Sequence, residues 1–329
     1  MFRYLITQPM GFIIENIYNL VTNYGLAIII FTVIIKLLLM PLTVRSQKSM
    51  KKQRKIQTVI AELQKKYANE PEQLQREMMK IYKENNISMM GGCLPLLIQM
   101  PILIGLYRVI QSPLTYLARV DWSLESVTNE ILRLRDAMIA LGHNLGNYAQ
   151  ATAETIQKTG QIQLSTWAEK IGTEGTLLEG VTSGVHPWTI NFDFFGLDLA
   201  NAPSAAFDYI MRADFSNWSV IALLLIPALA VATSVLSMKV TQAQTGQNKN
   251  KNDDSQAAQM SKTMNMMMPL MTLFFTVTLP AGLGLYWIIS SVVQVIQQLA
   301  LNYYFDKKGE EIVVTIPEKK QKHGKKRKK

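Results

Sequence analysis

The chain has 329 residues, 48% of them hydrophobic and 18% charged, with a formal net charge of +10. Length alone would allow about two soluble domains. The apolar residues are instead gathered into long runs, which excludes that organisation, and the single cysteine, Cys93, excludes an internal disulfide or a cysteine metal centre.

Residues 1–23 are expected to hold a short amphipathic helix over 9–23. Pro9 suits a first helical turn, and Ile13, Ile17 and Leu20 recur at helical spacing while Glu15, Asn16, Asn19 and Asn23 lie elsewhere around it. Such a helix can lie in the membrane interface; the other reading makes it the start of the first span. The N-terminus lacks the pattern of a removable signal peptide.

A bilayer takes about 20 apolar residues to cross. Runs of that kind predict transmembrane helices over 24–44, 88–112, 216–238, 263–280 and 281–305. The last two are joined tightly at Pro280-Ala281-Gly282.

Residues 45–87 predict a basic helical hairpin. Ile56, Val59, Ile60, Leu63 and Tyr67 mark one helix face, and Leu74, Met78, Ile81 and Tyr82 mark another. Asn69-Glu70-Pro71 breaks them, because proline starts helices but does not continue them.

Residues 113–215 form a long helical insert and loop. Leu124, Val127, Ile131, Leu134, Met138, Leu141, Leu145 and Tyr148 alternate steps of three and four, which predicts one long helix over 122–158. Gly160 would end it, and a shorter helix near 161–171 would fold back. A small helical ectodomain and a partner-binding coiled coil both fit. Residues 172–189 read as loop. Residues 239–262 read as a mobile polar loop, and the tail 306–329, ending KKQKHGKKRKK, as a disordered block of like charge.

Lys and Arg are enriched in cytoplasmic loops. Residues 44–86 hold 11 Lys/Arg against 5 Asp/Glu, residues 113–216 hold 6 against 12, residues 239–262 hold 4 against 2, and the tail holds 10 against 4. With five spans this places the N-terminus outside and the C-terminus in the cytoplasm. The hairpin is then cytoplasmic and the insert external. The charge of +10 needs no DNA or other nucleic acid to explain it.

Lys36 stands inside the first apolar run. An ionisable residue there costs about 2.5–3.5 kcal/mol on insertion scales and marks a functional site by default. Arg45 is nine residues on, which puts Lys36 roughly 13 Å inside on a straight helix, beyond comfortable snorkelling. On that helix Thr32, Lys36 and Thr43 fall within about 40° of one another. In the last span Tyr286, Ser290, Gln294 and Gln297 fall within about 80°. Gln99 lies in the second span, and Thr233, Ser234 and Ser237 in the third. Polar faces in a bilayer meet each other or water, so a bundle enclosing a hydrophilic groove is expected. For the third span, ordinary packing by small polar residues stays equally open.

No catalytic constellation accompanies the groove. His143, His186 and His323 lie outside the spans, as do all 24 acidic residues. No cofactor or metal site and no enzyme activity are expected, and an ion-coupled transporter would usually carry an acid in its spans.

The blocks NYGLAIIIFTVIIKLLLMPLT, EMMKIYKENNISMMGGCLPLLIQMPILIGLY and MNMMMPLMTLFFTVTLPAGLGLYWIISSVVQVIQQ resemble the YidC/Oxa/Alb family of membrane protein insertases, in its bacterial YidC type. The resemblance covers about 24–112 and 192–305. It implies an all-α fold whose five spans form a positively charged groove, in a bacterial inner or plasma membrane. It also implies a function: polar segments of nascent membrane proteins enter the groove, and their apolar helices pass into lipid. The family's groove charge is usually an arginine, and Lys36 is at the matching position. Thr32 matches a polar position one turn away. Trp287, with Tyr286 beside it, matches an aromatic substrate contact. Partners implied are nascent membrane proteins, the lipid bilayer, a Sec translocon and the ribosome, reached through the basic tail. The insert over 113–190 is longer than the family's usual segment. A channel or small-solute transporter using the same cavity is the alternative, and an assembly chaperone that binds spans without inserting them is a third.

Overall fold

The structure, a computed structural model, describes residues 3–85, 94–174, 189–245 and 256–307. The expected tail beyond 307, Cys93 and its glycine block, and the middles of the loops at 172–189 and 239–262 lie outside the described residues. The described chain is mostly helical and divides into two compact units.

The first unit comprises Met1–Leu38, Leu97–Ser237 and Asn265–Gln294. After a π-helical turn at Arg3–Thr7 comes α1, Gln8–Val21, which ends where Thr22 turns left-handed at φ 51°. Its buried face is Met10, Ile14 and Ile17, packed on α2, Tyr24–Leu38. Of the apolar positions noted in the sequence, Ile17 is buried, Ile13 is partly buried, and Leu20 is 85% exposed. The face packed on protein is thus set by the neighbouring helix α2.

Helix α5, Leu94–Gln111, and the short α6, Pro113–Tyr116, lead to the insert. There α7, Glu125–Ala140, α8, Ala153–Thr159, and α9, Gln161–Glu174, pack on one another. The single long helix expected over 122–158 is therefore two helices. Gly142 sits at φ 79°. Its N–H reaches Ile139 O at 3.0 Å, and the His143 N–H reaches Met138 O at 3.1 Å. This pair of bonds terminates a helix and needs a residue tolerant of left-handed backbone. Leu141, Leu145 and Tyr148 thus leave the seam. Helix α8 restarts where the Thr152 hydroxyl accepts the Thr155 N–H. Ile131, Leu134, Met138, Ile156, Leu164 and Trp167 join the main buried cluster with Ile28, Phe31, Leu106 and Tyr286.

A hairpin of two-residue strands, β1, Asp193–Phe194, and β2, Leu197–Asp198, is a short ladder within the otherwise helical chain. Its flanks satisfy helix-terminal amides, which have no partner inside their own helices. Tyr24 N–H bonds Asn191 O at 3.0 Å. The first amides of α14, Ala281–Lys307, do the same: Ala281 N–H reaches Asn201 O at 2.9 Å and Gly282 N–H reaches Leu199 O at 3.1 Å. A side chain at Gly25 would overlap the Phe194 ring, so this close approach needs glycine.

After the hairpin come α10, Ala205–Met211, α11, Trp218–Ala222, α12, Leu225–Thr245, and α13, Gln256–Thr278. Helix α12 runs on to Thr245 and α13 begins at Gln256, so both ends of the expected 239–262 loop are helical. The turn Leu279-Pro280 joins α13 to α14 as expected.

Two helices are long and apolar enough to cross a membrane, Trp218–Ala243 and Ala281–Lys307, and a bent pair, Tyr24–Leu38 with Met40–Gln53, makes up to three among the described residues. Met267–Thr278 is a shorter apolar helix. The bend falls at Leu39, two residues before Pro41, whose missing N–H cannot bond Leu37.

The second unit comprises Leu39–Leu96, Met238–Met264 and Val295–Lys329. Within it α3, Met40–Lys66, and α4, Pro71–Glu84, fold back on one another through Tyr67–Asn69. Ile56, Ile60 and Ile81 form its own small core, flanked by Val59, Leu63, Met78 and Tyr82. Lys51 pairs with Asp306 at 3.0 Å and lies over the Phe305 ring, which Lys48 also approaches.

Candidate functional site

The polar side chains singled out in the apolar helices lie in the first unit, except Thr43 and the buried Gln297, which fall in the second. On α2, Thr32 is fully buried, and its hydroxyl donates to Ile28 O at 2.6 Å. Lys36, one turn on, is half-buried between Ile35 and the exposed Leu37 and Leu38. Thr43 donates to Leu39 O at 3.1 Å, beyond the break. The stripe Thr32-Lys36-Thr43 assumed an unbroken helix. The break at Leu39 removes that assumption, and only Thr32 and Lys36 share one helix.

The residues of α14 fare differently. The Tyr286 hydroxyl accepts from Gln99 Nε2 of α5 and also bonds the Ser290 hydroxyl. Tyr286 and Ser290 are both buried. A buried amide or phenol without a partner costs about 1–3 kcal/mol, so this trio is a mutually satisfied set rather than three isolated polar groups. Trp287 stacks with Phe275 at 6.3 Å and 22°. Gln294 is half-buried further along the same helix.

On α12 the Thr233 hydroxyl returns to Leu229 O at 2.8 Å, and Ser237 is buried. Sequence reading missed Thr272 and Thr276 of α13, which are almost fully buried and donate to Met268 O and Thr272 O at 3.0 and 2.7 Å. Their spacing of four in an apolar helix was the available signal. It also missed the buried Gln298 of the second unit, whose Nε2 donates to Thr241 Oγ1 at 2.8 Å.

Among the described residues no group of three His, Cys, Asp or Glu side chains is placed to hold a metal ion. The chemistry these side chains offer is hydrogen bonding, the Lys36 cation within the apolar helix α2 and an aromatic surface.

Long apolar helices with polar side chains mated in their interior are those of an α-helical membrane protein. A family model described as 60Kd inner membrane protein matches residues 16–308, and the chain belongs to that family. Among its relatives, a protein named membrane protein insertase YidC from Clostridium perfringens is 50% identical over 100 residues, which is 30% of this chain and 42% of the relative. One of the same name from Clostridium tetani is 52% identical over 101 residues, 31% of this chain and 46% of the relative. A third, from Pelodictyon phaeoclathratiforme, is 28% identical over 303 residues, 90% of this chain and 37% of the relative. The matched segments span less than half of each of these relatives.

Proposed function

We propose that the chain is a membrane protein insertase and chaperone of a bacterial inner membrane. It captures polar segments of nascent membrane proteins in a positively charged groove and releases their apolar helices into lipid. The observation that carries the reading is Lys36, a cation half-buried in the apolar helix α2 of a chain whose relatives are named insertases. A cation in an apolar helix marks a functional site by default, and its charge favours a polar or acidic client tail.

In this reading five helices span the bilayer, and Thr32, Lys36, Gln99, Thr233, Ser237, Tyr286, Trp287, Ser290 and Gln294 line or frame the groove. Hydration of the groove shortens the hydrocarbon path that a polar tail must cross. The N-terminus is outside, the C-terminus cytoplasmic, and the α3–α4 hairpin faces the cytoplasm, where basic segments are retained. No bond is made or broken, so the protein is not an enzyme. A Sec translocon and the ribosome, met through the basic tail, are its proposed partners beside lipid and client.

Purified protein in liposomes tests the reading with a short single-span client bearing an acidic tail. Lys36→Ala is expected to lower insertion severalfold, and Lys36→Arg to retain most of it, because the arginine keeps the charge. Parent-level insertion by Lys36→Ala across a panel of acidic-tailed clients would remove Lys36 from the mechanism.

A further inference from the structure

The first unit leaves a cluster of apolar side chains uncovered. Phe207, Ile210 and Met211 of α10 are exposed, Met211 by 85%, and Phe215 and Trp218 follow. Around α10 the buried Ala206 marks the inward face; Phe207, Ile210 and Met211 share one flank, and Asp208 and Arg212 the other. The hairpin turn adds Phe195, which is 91% exposed and held at φ 54°. That backbone region disfavours a bulky residue, and although the ring meets Phe194 edge-on at 4.7 Å, nearly all of it stays uncovered. Helix α10 packs on α11, and α11 packs on β2, so these side chains belong to one neighbourhood.

The level of this neighbourhood is set by backbone bonds. Segment 191–204 accepts the amides of Tyr24, Ala281 and Gly282, at the starts of α2 and α14, and Ser204 N–H donates to Val277 O at the end of α13 at 2.9 Å. Trp218 begins the apolar helix Trp218–Ala243. Four apolar helices therefore have an end here. The ends of spanning helices lie where hydrocarbon meets water, and aromatic rings collect at that depth.

We propose that residues 205–218, with the turn at Phe195, are seated in the lipid headgroup region of the leaflet at the N-terminal ends of α2 and α14. Phe207, Met211, Phe215 and Trp218 dip toward the acyl chains, while Asp208 and Arg212 stay in water. Lipid is the occupant of the patch, which makes this segment a lateral anchor for the helix ends tied to it. The inference rests on the reading of these helices as spans.

The test uses the full chain carrying Cys93→Ser in nanodiscs of phosphatidylethanolamine and phosphatidylglycerol. Single substitutions Met211→Cys, Asp208→Cys and Leu229→Cys each carry an environment-sensitive fluorophore; Leu229 lies in Trp218–Ala243 and reports on the span itself. A nitroxide near the lipid headgroup is expected to quench the label at 211 roughly twofold more than that at 208, with aqueous iodide giving the reverse order. A label at 211 that is open to iodide and untouched by nitroxide, while 229 is quenched from deep in the acyl chains, overturns the proposal and leaves the spans intact. A label at 211 shielded from both quenchers also overturns it, because the cover is then protein. Absence of deep quenching at 229 removes the spanning reading, and the anchor falls with it.

Discussion

The two units bury their apolar residues on different scales. In the first, one cluster runs from Met10 and Ile14 through α2 and α5 into the insert and on to Tyr286. In the second, the α3–α4 pair is held by Ile56, Ile60 and Ile81, with four partly buried neighbours. The lesson concerns the insert. Its helices look like an appended domain in the sequence, yet their buried face is continuous with that of the apolar helices. The basic hairpin, whose two apolar stripes suggested a self-packed pair, has a small core of its own. Close-packed interiors relax little around a deletion, so a large cluster transmits damage that a small one confines.

Trp167→Ala gives the largest expected effect. It removes a buried ring from the large cluster and should cost about 3–5 kcal/mol, read as a lowered thermal midpoint in detergent that is shared by probes on α2 and on the insert. A drop seen only by probes within α7–α9 would break the comparison and make the insert a separate body. Ile81→Ala comes next, at about 2–4 kcal/mol. Its signature is local: hydrogen exchange should rise across α3 and α4 and leave the amides of α7 unchanged.

The smallest effect concerns pH. Burial, reinforced by Asp193, pushes the Asp198 carboxyl above its ordinary value of 3.8, while the Ala200 amide and Lys170 oppose the shift. A carboxyl raised in the folded state lends stability that is complete below its unfolded value and is lost as pH rises through the folded one. Thermal scans from pH 3 upward should therefore show the parent losing its advantage over Asp198→Asn as pH rises. A stability difference between the two proteins that stays constant with pH would place the titration elsewhere.

Much of the fold was legible. The hairpin's stripes and its break at Asn69-Glu70-Pro71 came from helical period and proline chemistry, and α3, α4 and the Tyr67–Asn69 turn follow them. The turn between α13 and α14 was likewise written in Pro280-Ala281-Gly282. The failures share a cause. The seam over 122–158 has an unbroken apolar period, but Gly142 adopts the left-handed backbone that ends α7. The stripe through Thr43 ignored Pro41, whose effect falls two residues earlier, at Leu39. The polar residues of the candidate site were visible one by one as polar positions in apolar runs. That Gln99 bonds Tyr286, 187 residues away, was not.

The sequence by itself determined the class of molecule: apolar runs long enough for a bilayer, basic segments between them, and one lysine where hydrocarbon was expected. These are properties of composition and local period, and they hold whatever the helices touch. Tertiary structure alone decided which face of α1 is buried, which polar groups are satisfied by a neighbour, and which aromatic residues stay uncovered beside the helix ends. Those outcomes depend on contacts between segments distant in the chain, where a short-range pattern carries no phase and packing geometry chooses among faces of similar polarity.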